Sequence, residues 1–273
     1  MKTLDICNPF GAPVYFMETV SSTMDVSKTL ACDGSLHGTV ITADFQEAGR
    51  GRGQDRIWET ERGLNLPFTI HLRYPCIEDI PQALTLRAGL SVSLAIESFF
   101  PSLKDTIQVK WPNDILIRDK KAVGILCEAN GGSAHIGIGV NVMQKVFPDN
   151  LRRKATSILL EAGEEELNQR IAKIRNEKPG TRNLNIKFIL LEKILASLFN
   201  ELSDKKNNDW KDRLEKRLYM IGNRITFIEG GADSGREVSG VLHGIGENGE
   251  LLIMPNGSHE PKPFITGELK FIN

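Results

Sequence analysis

Between Gln108 and Val142, three runs rich in β-branched and apolar residues follow one another with almost no chain between them. They are Gln108–Trp111 continuing to Ile117, Ala122–Ala129 and His135–Val142, divided by Asp119-Lys120 and Gly131-Gly132. Turns this short return a strand beside its predecessor and reversed, whereas a parallel partner needs a crossover of a dozen or more residues. The stretch predicts an antiparallel sheet, so the fold class is α+β: a mixed, largely antiparallel sheet with flanking helices, and not a doubly wound one.

The rest of the chain extends that sheet and covers it. Val14–Met17, Val40–Phe45 and Leu64–Leu72 read as further strands. Ser21-Ser22-Thr23 offers an N-cap for a helix through about Ala31. Pro81–Phe100, Ile186–Leu202 and Trp210–Tyr219 carry apolar residues at helical spacing, with Pro81 acceptable in a first turn. The polar segment Glu161–Asn185 predicts a short exposed helix and a linker inserted in the first domain. From Gly222 the pattern becomes short strands divided by glycine turns: Arg224–Ile228, Glu237–Leu242, Glu250–Met254 and Glu268–Ile272, with Asn248-Gly249 as a hairpin signal. We therefore expect two domains, residues 1–219 and a small SH3-like β-barrel over 220–273.

The candidate site begins in the connection between Val40–Phe45 and Leu64–Leu72. From Gln46 to Trp58 it reads QEAGRGRGQDRIW, with three glycines, three arginines and a tryptophan. Gly49, Gly51 and Gly53 permit tight backbone and exposed N–H groups. Arg50, Arg52 and Arg56 supply rigid, permanently charged forks for phosphate or carboxylate oxygens. Trp58 offers a flat face for a ring such as adenine. Gly/Arg-rich stretches also occur as solvated segments or RNA-binding tails, but those are commonly terminal and repetitive, and this one is short and bracketed by strands.

Three more strings stand out. In Lys110-Trp-Pro-Asn-Asp114, Trp-Pro halts regular pairing and Asn113-Asp114 sets an amide and a carboxylate at a turn. Taken alone these residues fit an ordinary Asn-Asp turn equally well, and Asp114 also suits a magnesium ion beside phosphates. Lys121 opens the next strand, and Gly124 within it removes a side chain where a ligand can approach backbone. Gly137-Ile-Gly-Val-Asn-Val142 repeats the device and inserts Asn141 into an apolar row, where a buried amide must find partners.

Composition narrows the classes. Thirty-four basic and 35 acidic residues leave a net charge of −1, so no global field draws the chain to nucleic acid or an anionic membrane. The four cysteines are scattered, as are the five histidines, which excludes a disulfide framework and a zinc site by spacing. With no secretory apolar core and no run of roughly 18 apolar residues, a cytoplasmic protein is expected.

Taken in order, Ser22-Thr23, Gln46, Gly49-Arg-Gly-Arg52, Arg56-Ile-Trp58, Lys110 to Asp114, Lys121 with Gly124, and Gly137 to Val142 resemble the biotin protein ligases. The resemblance spans about residues 14–160 and implies a class II synthetase-like catalytic domain followed by the family's small C-terminal domain. It implies that ATP and biotin, with Mg2+, give biotinyl-5′-AMP. The acyl group would then pass to a lysine of a biotin carboxyl carrier protein, in acetyl-CoA carboxylase or another biotin-dependent carboxylase or decarboxylase. On that pattern Ser22, Thr23, Gln46, Arg50, Gly51, Arg52, Lys121 and Gly124 bind biotin. Arg52, Arg56, Trp58, Asn113, Lys121 and Asn141 bind ATP, Arg52 and Lys121 are catalytic, and Asp114 holds magnesium.

Two positions depart from the family pattern: Met24 stands where many relatives have asparagine, and Asp55 brings negative charge near Arg56. About thirteen residues precede the first string, too few for a helix-turn-helix, so a short form without a DNA-binding domain is expected. A lipoate or octanoyl transferase would show an Arg-Arg…Gly-Gly-Gly loop, and a biotin sensor would bind without turnover. An open strand edge beside the site would suit the carrier protein or a second copy in a homodimer.

Overall fold

The computed structural model of the chain describes residues 1–53, 57–58, 60–148, 151, 153–177, 185–203, 209–230 and 235–270. Its first half builds the expected sheet. In chain order the elements are β1 (Lys2–Thr3), β2 (Val14–Val20), α1 (Thr23–Cys32), β3 (Thr39–Gln46), β4 (Asn65–Arg73), α2 (Leu84–Phe99), β5 (Ile107–Lys110), β6 (Asp114–Ile117), β7 (Lys120–Asn130) and β8 (Ser133–Asn141). Then follow α3 (Ile158–Glu177), α4 (Ile186–Ser203), α5 (Trp210–Glu215), β9 (Arg224–Glu229), β10 (Arg236–Ile245), β11 (Leu251–Pro255), β12 (Lys262–Phe264) and β13 (Gly267–Lys270).

The first eight strands form one sheet in the order β1-β2-β3-β4-β8-β7-β6-β5. Only β2 and β3 run parallel, with α1 as their crossover; every other neighbouring pair is antiparallel. The arginine loop therefore joins two antiparallel strands and is no parallel crossover. The run Gln108–Ile117 likewise folds back on itself. β5 and β6 pair with Lys110 opposite Asp114, and the three residues between them, including a cis Trp111–Pro112 bond, form the hairpin loop.

Alternation gives the central strands two different faces. Phe68, Ile70, Val123, Ile125, Ile136, Ile138 and Val140 point to one side and are buried in the main core, together with Val92 and Ile96 of α2 and Leu190, Leu191 and Ile194 of α4. Residues of the opposite parity include Thr69, His71, Gly124, Gly137 and Gly139, and α1 lies over part of this face.

Four expectations change in the structure. The helix predicted from Pro81 starts at Leu84, after Ala83 adopts a left-handed conformation with φ 54°. The helix predicted through Tyr219 ends at Glu215, because the chain leaves it to pair with β5: Val109 N donates to Arg217 O at 2.8 Å and Tyr219 N to Val109 O at 2.9 Å. The polar segment from Glu161 joins α3, which buries Leu167 against the main core and is kinked at Gly163 (φ 85°). Residues 178–184 of that segment lie outside the described residues. The C-terminal strands form a five-stranded antiparallel sheet in the order β12-β11-β10-β9-β13. Among the described residues its two end strands do not pair with each other, so the closed barrel expected from strand length and glycine turns is not seen there.

The second sheet packs directly on the first. Leu86 and Leu90 of α2, Val109 and Trp111 share one apolar cluster with Phe227, Leu242, Ile253 and Leu269, and Trp111 Nε1 donates to Gly249 O at 3.0 Å. Gly249 sits at φ 91° in the Asn248-Gly249 turn, a conformation that favours glycine. No helix among the described residues is long and apolar enough to cross a membrane.

One buried carboxylate ties three helices together. Glu201 of α4 is 2% exposed; its Oε1 accepts from Arg87 Nε of α2 at 3.0 Å and its Oε2 from Arg213 Nη1 of α5 at 3.1 Å. Removing one member of a buried ionic group strands the others without compensation. Glu201→Ala is expected to lower the unfolding free energy by about 3–5 kcal/mol, read from urea denaturation of the purified chain.

Candidate active site

The face of the sheet opposite the core has an unusual floor. Gly124 is opposite Gly139 across β7 and β8, Gly137 lies two residues before Gly139, and Thr69 is the register partner of Gly137 on β4. Where most strands carry side chains, this patch is bare backbone. Two side chains occupy it. A Cβ on Gly137 would come within 2.9 Å of Met24 Cε. A Cβ on Gly124 would meet Trp58 Cζ3 at 2.8 Å, and one on Gly139 would overlap the same indole at Cε2. Gly124 and Gly139 are thus required by close approach of a ring, and Gly137 by that of a methionine, where the sequence reading expected a ligand against the backbone. The ring in place is the protein's own.

One end of the floor is closed by α1. Ser22 caps the helix, its Oγ accepting from Met24 N at 3.2 Å. Thr23 donates to Gln46 Oε1 from both N (2.8 Å) and Oγ1 (3.0 Å), and its hydroxyl lies 2.9 Å from Thr69 Oγ1. All three predicted polar residues are buried, and Thr23 and Gln46 are directly bonded. Thr69, a polar residue alternating into an apolar strand, is the fourth member that sequence reading missed. Beyond it, Ser27 Oγ is 2.8 Å from His135 Nδ1, and His135 stacks on His71, whose pKa falls to about 4 through burial and then the neighbouring imidazole.

The arginine loop closes over the floor as a small antiparallel turn, with Arg50 bridging Ile57 and Trp58 N donating to Gly49 O at 2.8 Å. Gly49 must be glycine, since a Cβ there would lie 2.5 Å from Trp58 O. The two described arginines diverge. Arg50 is ion-paired to Asp25 in the first turn of α1. Arg52 donates to Gly267 O at 3.2 Å and stands 5.8 Å over the Trp111 ring. Beside Arg52 is a cavity of about 260 Å³, with Asn113, Cys127 and Ile265 in its wall. Arg56 and Asp55 lie outside the described residues.

On the other flank, cations collect around one carboxylate. The β5–β6 hairpin brings Lys110 opposite Asp114. A bulge in β7, where Ile115 pairs with Val123 but Leu116 pairs with Lys121, shifts Lys121 onto the face that carries Asp114 and Gly124. Asp114 Oδ1 is 2.7 Å from Lys121 Nζ, and Oδ2 is 3.0 Å from Arg153 Nη1. Burial pushes the Asp114 carboxyl up, but Lys121 and Arg153 together outweigh it and hold the pKa below its ordinary value. Lys121 Nζ also lies 5.4 Å from the Trp58 ring centroid, within cation–π range. Lys110 is 2% exposed, and burial, followed by the nearby Arg153, lowers its pKa to about 7. No motif announced Arg153.

The amides serve the framework. Asn113 Nδ2 donates to Ile125 O at 2.9 Å, and Asn141 Nδ2 donates to Thr156 O at 3.1 Å. The Trp58 indole N–H and the Oδ1 of Asn65, register partner of Asn141, are buried without hydrogen-bond partners among the described residues. A buried donor and acceptor left open on one face suit an exogenous polar ligand.

Asp114 does not fit the expected role of magnesium ligand. Both its oxygens are engaged by cations, and the described residues hold no cluster of three His, Cys, Asp or Glu groups suited to a metal.

Residues 16–143 match the model of the biotin/lipoate A/B protein ligase family. The chain is also similar to several biotin protein ligases. It is 39% identical over 162 residues to the bifunctional ligase/repressor BirA of Bacillus spizizenii, covering 56% of this chain and 48% of the relative. It is 33% identical over 146 residues to the biotin–[acetyl-CoA-carboxylase] ligase of Mycobacterium tuberculosis, covering 52% and 53%. The chain thus spans about half the length of these curated relatives. Among solved structures, a biotin protein ligase from Aquifex aeolicus in complex with biotin and ATP superposes with a TM-score of 0.73. It is 25% identical, and the match covers 94% of this chain and 97% of that one.

Two outcomes follow from the geometry. In Gly139→Ala the new methyl group displaces the indole, at an overpacking cost of about 1–3 kcal/mol. Trp58 emission, isolated by subtracting the spectrum of a Trp58→Phe chain, should shift to the red. Lys110 supplies a pH dependence. Between its folded pKa of about 7 and the ordinary lysine range, the unfolded chain binds a proton that the folded chain lacks, so stability rises with pH across that window. Lys110→Met is expected to be more stable than the parent at pH 7, with the difference shrinking toward pH ~10 and constant below pH ~6; urea denaturation at several pH values measures it.

Proposed function

We propose that the chain is an ATP-dependent ligase that activates biotin as biotinyl-5′-AMP and transfers it to a specific lysine of a biotin carboxyl carrier protein. The observation that carries this reading is the cluster of Lys110, Lys121 and Arg153 around the carboxylate of Asp114, beside a bare glycine floor roofed by an indole. A carboxylate and a triphosphate repel each other, and fixed positive charge beside a ring-sized apolar slot is what their reaction requires.

In this reading Ser22, Thr23 and Gln46 bond the polar end of biotin, and Gly124 lets its rings approach the strand. Arg50, Gly51 and Arg52 close over the carboxylate and phosphate. Arg52, Arg56, Trp58, Asn113 and Asn141 serve the nucleotide, and Lys121 stands between the biotin carboxyl and the α-phosphorus. A carboxylate oxygen of biotin bonds to that phosphorus as pyrophosphate leaves. The carrier amine then bonds to the acyl carbon, losing a proton as AMP departs. Magnesium enters with the nucleotide as part of the substrate. Residues 1–219 form the catalytic domain; residues 220–273 are its SH3-like companion, supplying the Gly267 carbonyl that holds Arg52. The setting is the cytoplasm, and the carrier is a domain of acetyl-CoA carboxylase or another biotin-dependent enzyme.

The test is exchange of labelled pyrophosphate into ATP, with biotin or lipoate as the acid. Exchange that depends on biotin supports the reading; exchange with lipoate alone, or none with either, overturns it. In Lys121→Ala, single-turnover adenylate formation should fall about 100-fold or more with a smaller change in ATP affinity, because the ammonium matters most where charge develops.

A further inference from the structure

We propose that Arg153 is a positioning residue. It holds Asp114 through Oδ2 so that Lys121 can give up Oδ1 and move to the substrate's carboxyl and phosphate oxygens. The inference rests on the biotin-adenylating reading above and adds to it a residue outside every motif that the sequence displays.

In this structure the ammonium of Lys121 is committed to Asp114 at 2.7 Å. To act on substrate it must exchange that carboxylate for an incoming anion. Asp114 is only 16% exposed, and a buried carboxylate abandoned by its partner is strongly disfavoured. Arg153 solves this problem, because its guanidinium already bonds the other oxygen at 3.0 Å.

The two cations are not equivalent. Arg153 is 11% exposed and Lys121 29%, so an anion arriving from solvent meets Lys121 first. The lysine head rides on a flexible four-carbon stem, whereas the guanidinium is a planar, permanently charged fork. Lys110 also faces the carboxylate, but with its pKa near 7 its charge is incomplete at neutral pH. Glu268 is the further acidic group felt by this cluster.

Backbone pairing fixes Arg153 in place. Lys121 N donates to Lys154 O and Thr156 N donates to Lys121 O, each at 2.9 Å, while Asn141 Nδ2 holds Thr156 O. The segment carrying Arg153 is therefore stapled to the strand that carries Lys121, and the guanidinium stays on Asp114 when the ammonium departs.

The experiment compares the parent chain, Arg153→Met, Arg153→Lys, Asp114→Asn and the double variant Arg153→Met/Asp114→Asn. Two measurements are made on each: single-turnover adenylate formation, and calorimetric binding of inorganic pyrophosphate, which needs no chemistry. Arg153→Met should lose about tenfold or more in both, and Arg153→Lys should retain most of each. The double variant should recover toward the parent, because removing the carboxylate charge frees Lys121. A role confined to folding, or a direct bond from Arg153 to phosphate, predicts no recovery.

A double variant as impaired as Arg153→Met, or an Arg153→Met indistinguishable from the parent, overturns the inference while the parent's adenylation stands. A parent chain that binds pyrophosphate without forming an adenylate overturns the functional reading instead, and the binding series alone then decides the role of Arg153. A parent chain that does neither overturns both.

Discussion

Everything in this site depends on the two unequal faces of the central strands. On β4, β7 and β8 alternate residues are large and apolar, and they bury the sheet against α2 and α4. Their neighbours are Thr69, Gly124, Gly137 and Gly139, which leave the opposite face low enough for a ring to lie on backbone. Because side chains alternate strictly along a strand, the same residues that fix the core also fix the floor. A slip of one residue would exchange the two faces, so the register that the core enforces is also the register of the site.

Charge is handled by economy of carboxylates. Lys110, Lys121 and Arg153 surround the largely buried carboxylate of Asp114, with Glu268 as a further acidic group near Lys110. The bulge that turns Lys121 onto this face, the hairpin that sets Lys110 opposite Asp114, and the strand-like segment 154–156 all converge there. The arginine loop is distributed differently: Arg50 is lodged on Asp25 of α1 and Arg52 on Gly267 of the second sheet. The loop therefore links both parts of the chain while its tryptophan covers the floor.

Short-range signals were legible. Strands β3, β4, β7 and β8 fall within a few residues of their predicted spans, because apolar runs and two-residue turns are local properties. Ser22 caps α1, as its place before an apolar-periodic run implied. Longer-range outcomes were not legible. Helix α5 stops early because β5 offers a backbone edge at Val109, a partner that helical periodicity cannot register. Among the described residues the C-terminal strands do not close, because closure depends on where the end strands lie, which strand length does not fix.

The amino-acid sequence by itself determined the mixed, largely antiparallel sheet with flanking helices and the residue types that make a ring-and-anion site, since these follow from alternation, turn chemistry and charge. Only the tertiary structure decided that Asp114 is held by two cations, that Arg153 is one of them, and that Trp58 rests on the glycines of β7 and β8. The physical reason is range. Side-chain alternation and turns act between neighbours in the chain, whereas an ion pair between residues 114 and 153 exists only after the sheet and its bulge have brought their segments side by side.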